Sequence, residues 1–285
     1  MLRLYGYIGL ALIAFAAANF YLVIQPFAEW YIPIVWYGFI LFVDSLVYRV
    51  KKKSLISSYP KEFVFILVIS VPFWLIFEVY NLFTHSWYYV NYLWYVHLAN
   101  FTIILPAILE TVSLVGALEI GKNLDRKRRT LLIKLYSGLD SRSSFAAIWL
   151  LVPIGALAVL LPFVVPAAIG VAAMFIGLFL LFDPLNYIMR KPSIMQKIAS
   201  GKRSVVLQLI LAGLIVGFFW ELFNYMAYPK WIYTLSPAFM PNLKLFQMPV
   251  LGYLGYIPFA AEALAFYVFV RGFVFKKDNV LLLSD

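Results

Sequence analysis

FWLIFEVYNLF, residues Phe73 to Phe83, returns as GFFWELFNYM, residues Gly217 to Met226. Each copy sets a Glu and an Asn three residues apart in an apolar run, Glu78 with Asn81 and Glu221 with Asn224. Working outward, FVDSLVYR around Asp44 is echoed by LFDPLNYIMR around Asp183. Trp87 and Tyr89 are echoed by Trp231 and Tyr233, and Pro106 with Glu110 by Pro258 with Glu262. Each carboxylate deep in the apolar part of one half thus has a partner in the other, which is the mark of a duplicated unit.

Composition fixes the class of protein. Of the 285 residues, 64% are hydrophobic and 13% charged, and the mean hydropathy is +0.90, far above the soluble average. Runs long enough to cross hydrocarbon fall at about Leu4 to Ile24, Tyr31 to Tyr48, Phe63 to Phe83, His97 to Ile120, Ser144 to Leu161, Ala167 to Ile188, Val205 to Tyr228 and Met248 to Val270. The expected fold is all-α, a polytopic integral membrane protein of about eight transmembrane helices in two parallel four-helix repeats. Residues 1–120 form the first repeat, 121–143 a cytoplasmic linker, 144–272 the second repeat and 273–285 a cytoplasmic tail.

The formal net charge of +10 is then a topology signal. Arg3, the group from Arg49 to Lys61, the linker cations Lys122 to Arg142, Arg190 to Arg203, and Arg271 to Lys277 all fall on one side of an eight-helix chain; Lys230 and Lys244 fall on the other. The positive-inside rule places both termini in the cytoplasm of a cell-membrane protein. The cations would meet anionic lipid head groups, so no nucleic-acid partner is needed. An even number of spans per half makes the repeats parallel, related by an axis along the membrane normal. In the linker, TLLIKLYSGL (130–139) reads as a short interfacial helix. A signal peptide ending at Ala16 to Ala18 is disfavoured, because the run is long enough to span and its removal would leave the first repeat a helix short.

Several chemistries are excluded. With no Cys there is no thiolate nucleophile or thiolate metal site. The two His, His85 and His97, both near the outer boundary, do not make a histidine box. Every Lys lies outside the spans, against a retinal Schiff base, and no phosphate-binding glycine loop is present. Neither a metal nor another cofactor is expected.

What remains is carboxylate chemistry in lipid. An acid in a spanning helix costs about 2.5–3.5 kcal/mol, so such residues face the bundle interior and mark a site. At about 1.5 Å per residue, Glu78 and Glu221 lie in the outer half, Glu110 and Glu262 near the middle, and Asp44 and Asp183 close to the inner boundary. Glu78 shares a helix face with Asn81, which lets the amide meet the carboxyl group or its ligand. Pro106 and Pro258 are expected to kink their helices and free a carbonyl one turn back. The Asp pair is expected to bind Tyr48 or Tyr187, or the basic flank, and remains a secondary candidate. Trp74, Phe77 and Tyr80 flank Glu78, and Phe218 to Trp220 with Phe223 flank Glu221. Aromatic faces stabilise cations, and Trp74, Trp87, Trp220 and Trp231, with Asn81 and Asn224, are the candidate substrate-binding residues. Thr84 to Val96 and Pro229 to Gln247 read as partial lids on the outer interface, the second irregular.

The order of acid plus Asn, then WxY, then proline and a further acid resembles the membrane-integral lycopene cyclase domain family. The resembling pieces are FEVYN, WYY and LPAILET in the first half, and WELFN, WIY and GYLGYIPFAAEALAF in the second. They cover the last two helices of each half. Two features depart from the family pattern: a single Glu four residues after the proline replaces paired acids, and Glu replaces a common Asp at the first acid. The resemblance implies an isomerase of carotenoid biosynthesis acting on a long isoprenoid or lipid. It implies Glu110 or Glu262 as proton donor to a terminal alkene and Glu78 or Glu221 as cation stabiliser or proton acceptor, with one or both halves at work. The residues alone leave open a proton- or cation-coupled transporter or lipid flippase, and a non-catalytic scaffold whose carboxylates hold helices together. Magnesium-dependent prenyl transfer on Asp44 and Asp183 ranks below these, since each half supplies one Asp where clustered acids are usual.

Overall fold

The computed structural model describes residues 1–91, 93–125, 142–165, 167–235 and 242–275; the side chains of 142–147 and 167–168 are outside that description. The helices are α1 Leu4–Leu22, α2 Tyr31–Lys51, α3 Leu55–Ser58, α4 Pro60–Thr84, α5 Trp94–Ala117, α6 Arg142–Leu160, α7 Ala167–Ile188, α8 Ile194–Ala199, α9 Ser204–Met226 and α10 Tyr256–Val274. The short strands are β1 Trp87–Val90, β2 Lys230–Tyr233, β3 Lys244–Leu245 and β4 Met248–Pro249, and a 3₁₀ turn, Val250–Gly255, leads into α10. The order of two helices, a short helix, a helix, a strand and a closing helix thus occurs twice. The linker segment 130–139, most of the tail and Pro237 and Pro241 of the outer loop lie outside the described residues.

Among the described residues, seven helical stretches are long and apolar enough to cross a bilayer, the last running from Val250 through Val274. The remaining expected span, Ser144 to Leu161, is helical as α6, but its described apolar stretch, Ile148–Phe163, is shorter. Little sheet is present, and the architecture is that of an all-α membrane protein.

The helices pack as a bundle whose centre is made by α2, α4, α5, α7, α9 and α10, while α1 lies on α2 and α6 on α7. Close approach of α1 and α2 depends on two glycines. A Cβ on Gly9 would sit 2.5 Å from the Gly38 carbonyl oxygen, and one on Gly38 would sit 2.8 Å from that of Gly9. Small residues let backbones touch where lipid supplies no hydrophobic drive between helices.

The two prolines behave differently. Pro106 is inside α5, and Ser70 of α4 reaches into that helix beside it. The Ser70 hydroxyl donates to the Phe101 carbonyl (2.5 Å) and accepts the Leu105 N–H (3.0 Å), bridging the rung of the ladder next to the one that Pro106 removes. Pro258 instead stands third in α10, in the first turn after the 3₁₀ turn Val250–Gly255 passes into the α-helix.

Asp44 and Asp183 hold the short helices. Asp44 accepts the Ile56 N–H (2.9 Å), the Ser54 hydroxyl (2.8 Å) and the Tyr5 hydroxyl (2.6 Å); Asp183 accepts the N–H groups of Ile194 (2.7 Å) and Met195 (2.9 Å). The expected bonds to Tyr48, Tyr187 or a basic flank give way to these, because free N–H groups at the start of α3 and α8 are nearer donors and suit an anion. At the same end of the bundle, Arg271 of α10 is ion-paired to Glu62 of α4 (2.5 Å), and the Tyr267 hydroxyl donates to the same carboxylate oxygen. Both charged residues are buried.

At the opposite end, residues 87–90 and 230–233, from the two loops expected to be separate lids, form one ribbon. Strands β1 and β2 pair antiparallel, Trp87 opposite Tyr233, Tyr88 opposite Ile232, Tyr89 opposite Trp231 and Val90 opposite Lys230. Thr234 N–H extends the ribbon to the Ser86 carbonyl at 2.9 Å, and β3 and β4 form a second, smaller hairpin.

Candidate functional site

The WxY spacing builds the site. In a strand, residues two apart share a face, so Trp87 with Tyr89, and Trp231 with Tyr233, turn toward the bundle while Tyr88 is exposed. The strands are held by the two asparagines. Asn81 donates to the Trp87 carbonyl (2.9 Å) and accepts the N–H groups of Ser86 (2.9 Å) and Trp87 (3.1 Å). Asn224 does the same for Trp231, donating to its carbonyl and accepting its N–H, each at 2.9 Å. Asn81 and Asn224 therefore serve the strand backbone, and the glutamates find other partners. Replacing Asn224 with Leu leaves two buried backbone groups unpaired, at about 1–3 kcal/mol each. A fall in the thermal unfolding midpoint in detergent is the expected result.

Both outer glutamates end a chain of donors. The Trp87 indole donates to the Tyr89 hydroxyl (3.2 Å), which donates to Glu78 Oε1; the Trp231 indole donates to the Tyr233 hydroxyl (2.7 Å), which donates to Glu221 Oε1 (2.7 Å). A second donor completes each carboxylate, and it comes from a different element in each half. Trp74 Nε1, one turn back on α4, reaches Glu78 Oε1 at 2.7 Å. The Tyr256 hydroxyl, from the start of α10, reaches Glu221 Oε1 at 2.5 Å. Trp74 and Gly217 stand equally far before their glutamates, and a Cβ on Gly217 would lie 2.4 Å from the Tyr256 ring. Gly217 therefore makes room for the ring that takes the role of Trp74. Burial first, and the adjacent glutamate second, push the Tyr89 and Tyr233 phenols well above their ordinary range, so both remain proton donors.

The four expected tryptophans come together. Trp74 lies 6.0 Å from Trp87 and 5.6 Å from Trp220, and Trp220 lies 5.5 Å from Trp231, between ring centroids. Their rings, with Tyr89, Tyr233 and Tyr256, wall an inner cavity of about 50 Å³, closed on the other side by Met174, Phe175 and Phe259. Through a neck at Met248, Gly252 and Gly255 it adjoins an outer pocket of about 350 Å³ against Val171, Ile176, Leu251 and Leu254. The outer pocket is of the order that holds small molecules, and apolar walls with a few polar groups are usual for such sites. Neither Glu78 nor Glu221 lines the cavity; each stands behind its phenol. Glu221 is fully buried and its Oε2 has no hydrogen-bond partner.

Glu110 and Glu262 are elsewhere. Both are fully buried, line neither pocket, and have no carboxyl oxygen with a hydrogen bond of normal geometry. Glu110 is within electrostatic reach of the Asp44 carboxyl group. Glu262 is within electrostatic reach of Tyr80, whose buried hydroxyl is also unpartnered. Among the described residues, no group of three or more His, Asp or Glu is placed to hold a metal. Sequence reasoning missed Tyr256, the neck glycines and the direct Tyr-to-Glu bonds; for Tyr89 and Tyr233 the signal was the two-residue spacing from a tryptophan. Compared with known proteins, the chain matches no family model, no curated protein and no solved structure.

Proposed function

We propose that this protein is an intramembrane enzyme that holds a long apolar isoprenoid in the aromatic cavity and isomerises it by carboxylic-acid catalysis, in the manner of the lycopene cyclase domain it resembles. The observation that carries the reading is the tryptophan and tyrosine cage, two of whose phenols, Tyr233 and Tyr256, converge on buried Glu221. The Tyr256 phenol, which lines the cavity, passes its proton to the terminal carbon of an alkene and is reprotonated by Glu221 behind it. The carbocation that forms is attacked by a neighbouring double bond, and loss of a proton from the adjacent carbon returns the acid. Atoms balance without a cofactor. Indole and phenyl faces stabilise the cation, and two phenol donors on Oε1 stabilise the carboxylate between the steps.

We read the chain as two parallel four-helix repeats in the cell membrane, with the Arg- and Lys-rich end and both termini cytoplasmic. The β1–β2 register supports the symmetry: exchange of Trp87 with Trp231 and of Tyr89 with Tyr233 maps each strand pair onto another, as a two-fold axis through the Tyr88–Ile232 pair requires. Mass spectrometry of lipid that copurifies in mild detergent tests the ligand class. A specific isoprenoid, lost on Trp220→Ala with Trp231→Ala, is the expected outcome; bulk phospholipid alone would refute it.

A second reading rests on the buried acids away from the cavity. Glu110 near Asp44, and Glu262 near Tyr80, are the kind of intramembrane groups that carry protons in transporters. Flux in proteoliposomes driven by a pH gradient, and abolished by Glu110→Gln, would favour this reading over catalysis.

A further inference from the structure

The duplication can be followed into the cavity walls. The offset that pairs Asp44 with Asp183 also pairs Trp36 with Phe175, and the offset that pairs Pro106 with Pro258 pairs Asn100 with Gly252 and Ile103 with Gly255. On the α2–α5 side, Trp36, Asn100 and Ile103 border a space of only about 20 Å³. On the α7–α10 side, Phe175, Gly252 and Gly255 border both the inner cavity and the outer pocket of about 350 Å³. The same place in the two halves is therefore filled in one and open in the other, and the difference is made by side-chain volume at three positions. Trp36 is fully buried, its indole packed 5.5 Å from Trp220. With Trp74, Trp220 and Trp231 it lines that small space.

The open side faces the bilayer. Ile176 and Leu254, at the rim of the outer pocket, are 45% and 60% exposed, and both belong to stretches apolar enough to lie within a membrane. A chain arriving there meets lipid-facing side chains first, then the thioether of Met248, then the indoles and phenols. Met248 belongs to both pockets and packs over Gly252, where a Cβ would stand 2.3 Å from its sulfur. An unbranched, flexible side chain at a neck is suited to move aside. An apolar molecule with an unsaturated end that enters lengthwise fits this sequence of surfaces better than one with a charged head, since none of the described lining residues is charged.

Resting on the functional reading above, we propose that the duplication has left one working site per chain. Its ligand, a linear isoprenoid, enters sideways from the bilayer between α7 and the Val250–Gly255 turn, while Trp36, Asn100 and Ile103 plug the mate of that site.

The test exchanges the plug. Gly255 has helical backbone angles, and a Cβ there would meet the Phe175 ring at an ordinary 3.5 Å, so a side chain is accepted without backbone strain. Native mass spectrometry of protein incubated with all-trans-retinol, an isoprenoid probe, counts the sites. One adduct is expected on the wild type, none on Gly255→Ile with Phe175→Trp, and two on Trp36→Phe with Asn100→Gly and Ile103→Gly. Thermal unfolding of each variant verifies its fold, and the filled variant alone locates the site if the opened one is unstable. Two adducts on the wild type, or one retained by a folded filled variant, would overturn the one-site proposal while leaving the ligand class standing. No adduct on the wild type would overturn both.

Discussion

Arg271→Ala is expected to destabilise the fold by about 3–5 kcal/mol, because it leaves the buried Glu62 carboxylate without its counter-ion. The pair joins α4 of the first half to α10 of the second, and the Tyr267 hydroxyl adds a donor to the same oxygen. Tyr267 alone cannot neutralise the charge. Removing both charges together, as Glu62→Gln with Arg271→Met, is expected to recover most of the loss, since desolvation of two ions offsets much of their attraction. Thermal unfolding of wild type, the two single variants and the double variant in detergent gives the coupling. A double variant as unstable as Arg271→Ala would mean that packing of the arginine stem, and not its charge, holds the two helices.

Glu221→Gln is expected to reduce isoprenoid turnover by about 10²–10⁴-fold, the usual worth of a positioned general acid, with an unfolding midpoint close to that of wild type. The amide oxygen still accepts from Tyr233 and Tyr256, so the donors at 2.7 and 2.5 Å keep their partner and only the transferable proton is lost. Glu221→Leu separates the two effects. It strands both phenols in a buried site and is expected to lose stability as well as turnover. Measurement in proteoliposomes supplied with lycopene, with extracted products resolved by mass spectrometry, distinguishes them. Wild-type turnover in Glu221→Gln would remove this carboxyl group from the mechanism, and the equivalent change at Glu78 shows whether the first half contributes.

Much of this arrangement was legible in the sequence because lipid is a severe solvent. Long apolar runs have one stable form there, and the helices accordingly fall close to the expected spans. The four tryptophans chosen from the repeat meet around one cavity. What could not be read was direction. Asn81 follows Glu78 by three residues, which puts both on one helix face, but the amide turns to the strand that comes next in the chain. Asp44 and Asp183 looked like candidates for the basic flank and instead hold helices of four and six residues, too short to show a periodic pattern. Pro258 looked like the twin of Pro106, yet the α10 helix begins just before it, so the same residue type lies in the interior of one helix and in the first turn of the other. The ribbon was hidden for another reason: each strand of four residues pairs with its counterpart in the distant half.

That ribbon has a consequence for biosynthesis. Val90 emerges from the ribosome long before Lys230, its opposite number, and Asn91 must wait as long for the Tyr228 carbonyl to which it donates at 3.1 Å. Until then the first half carries an open strand edge with nothing to pair it, and contacts so far apart in the chain form slowly. The nascent protein is thus most vulnerable to misassembly after α4 and β1 have been made and before β2 follows α9, the interval in which an insertase or chaperone would matter most.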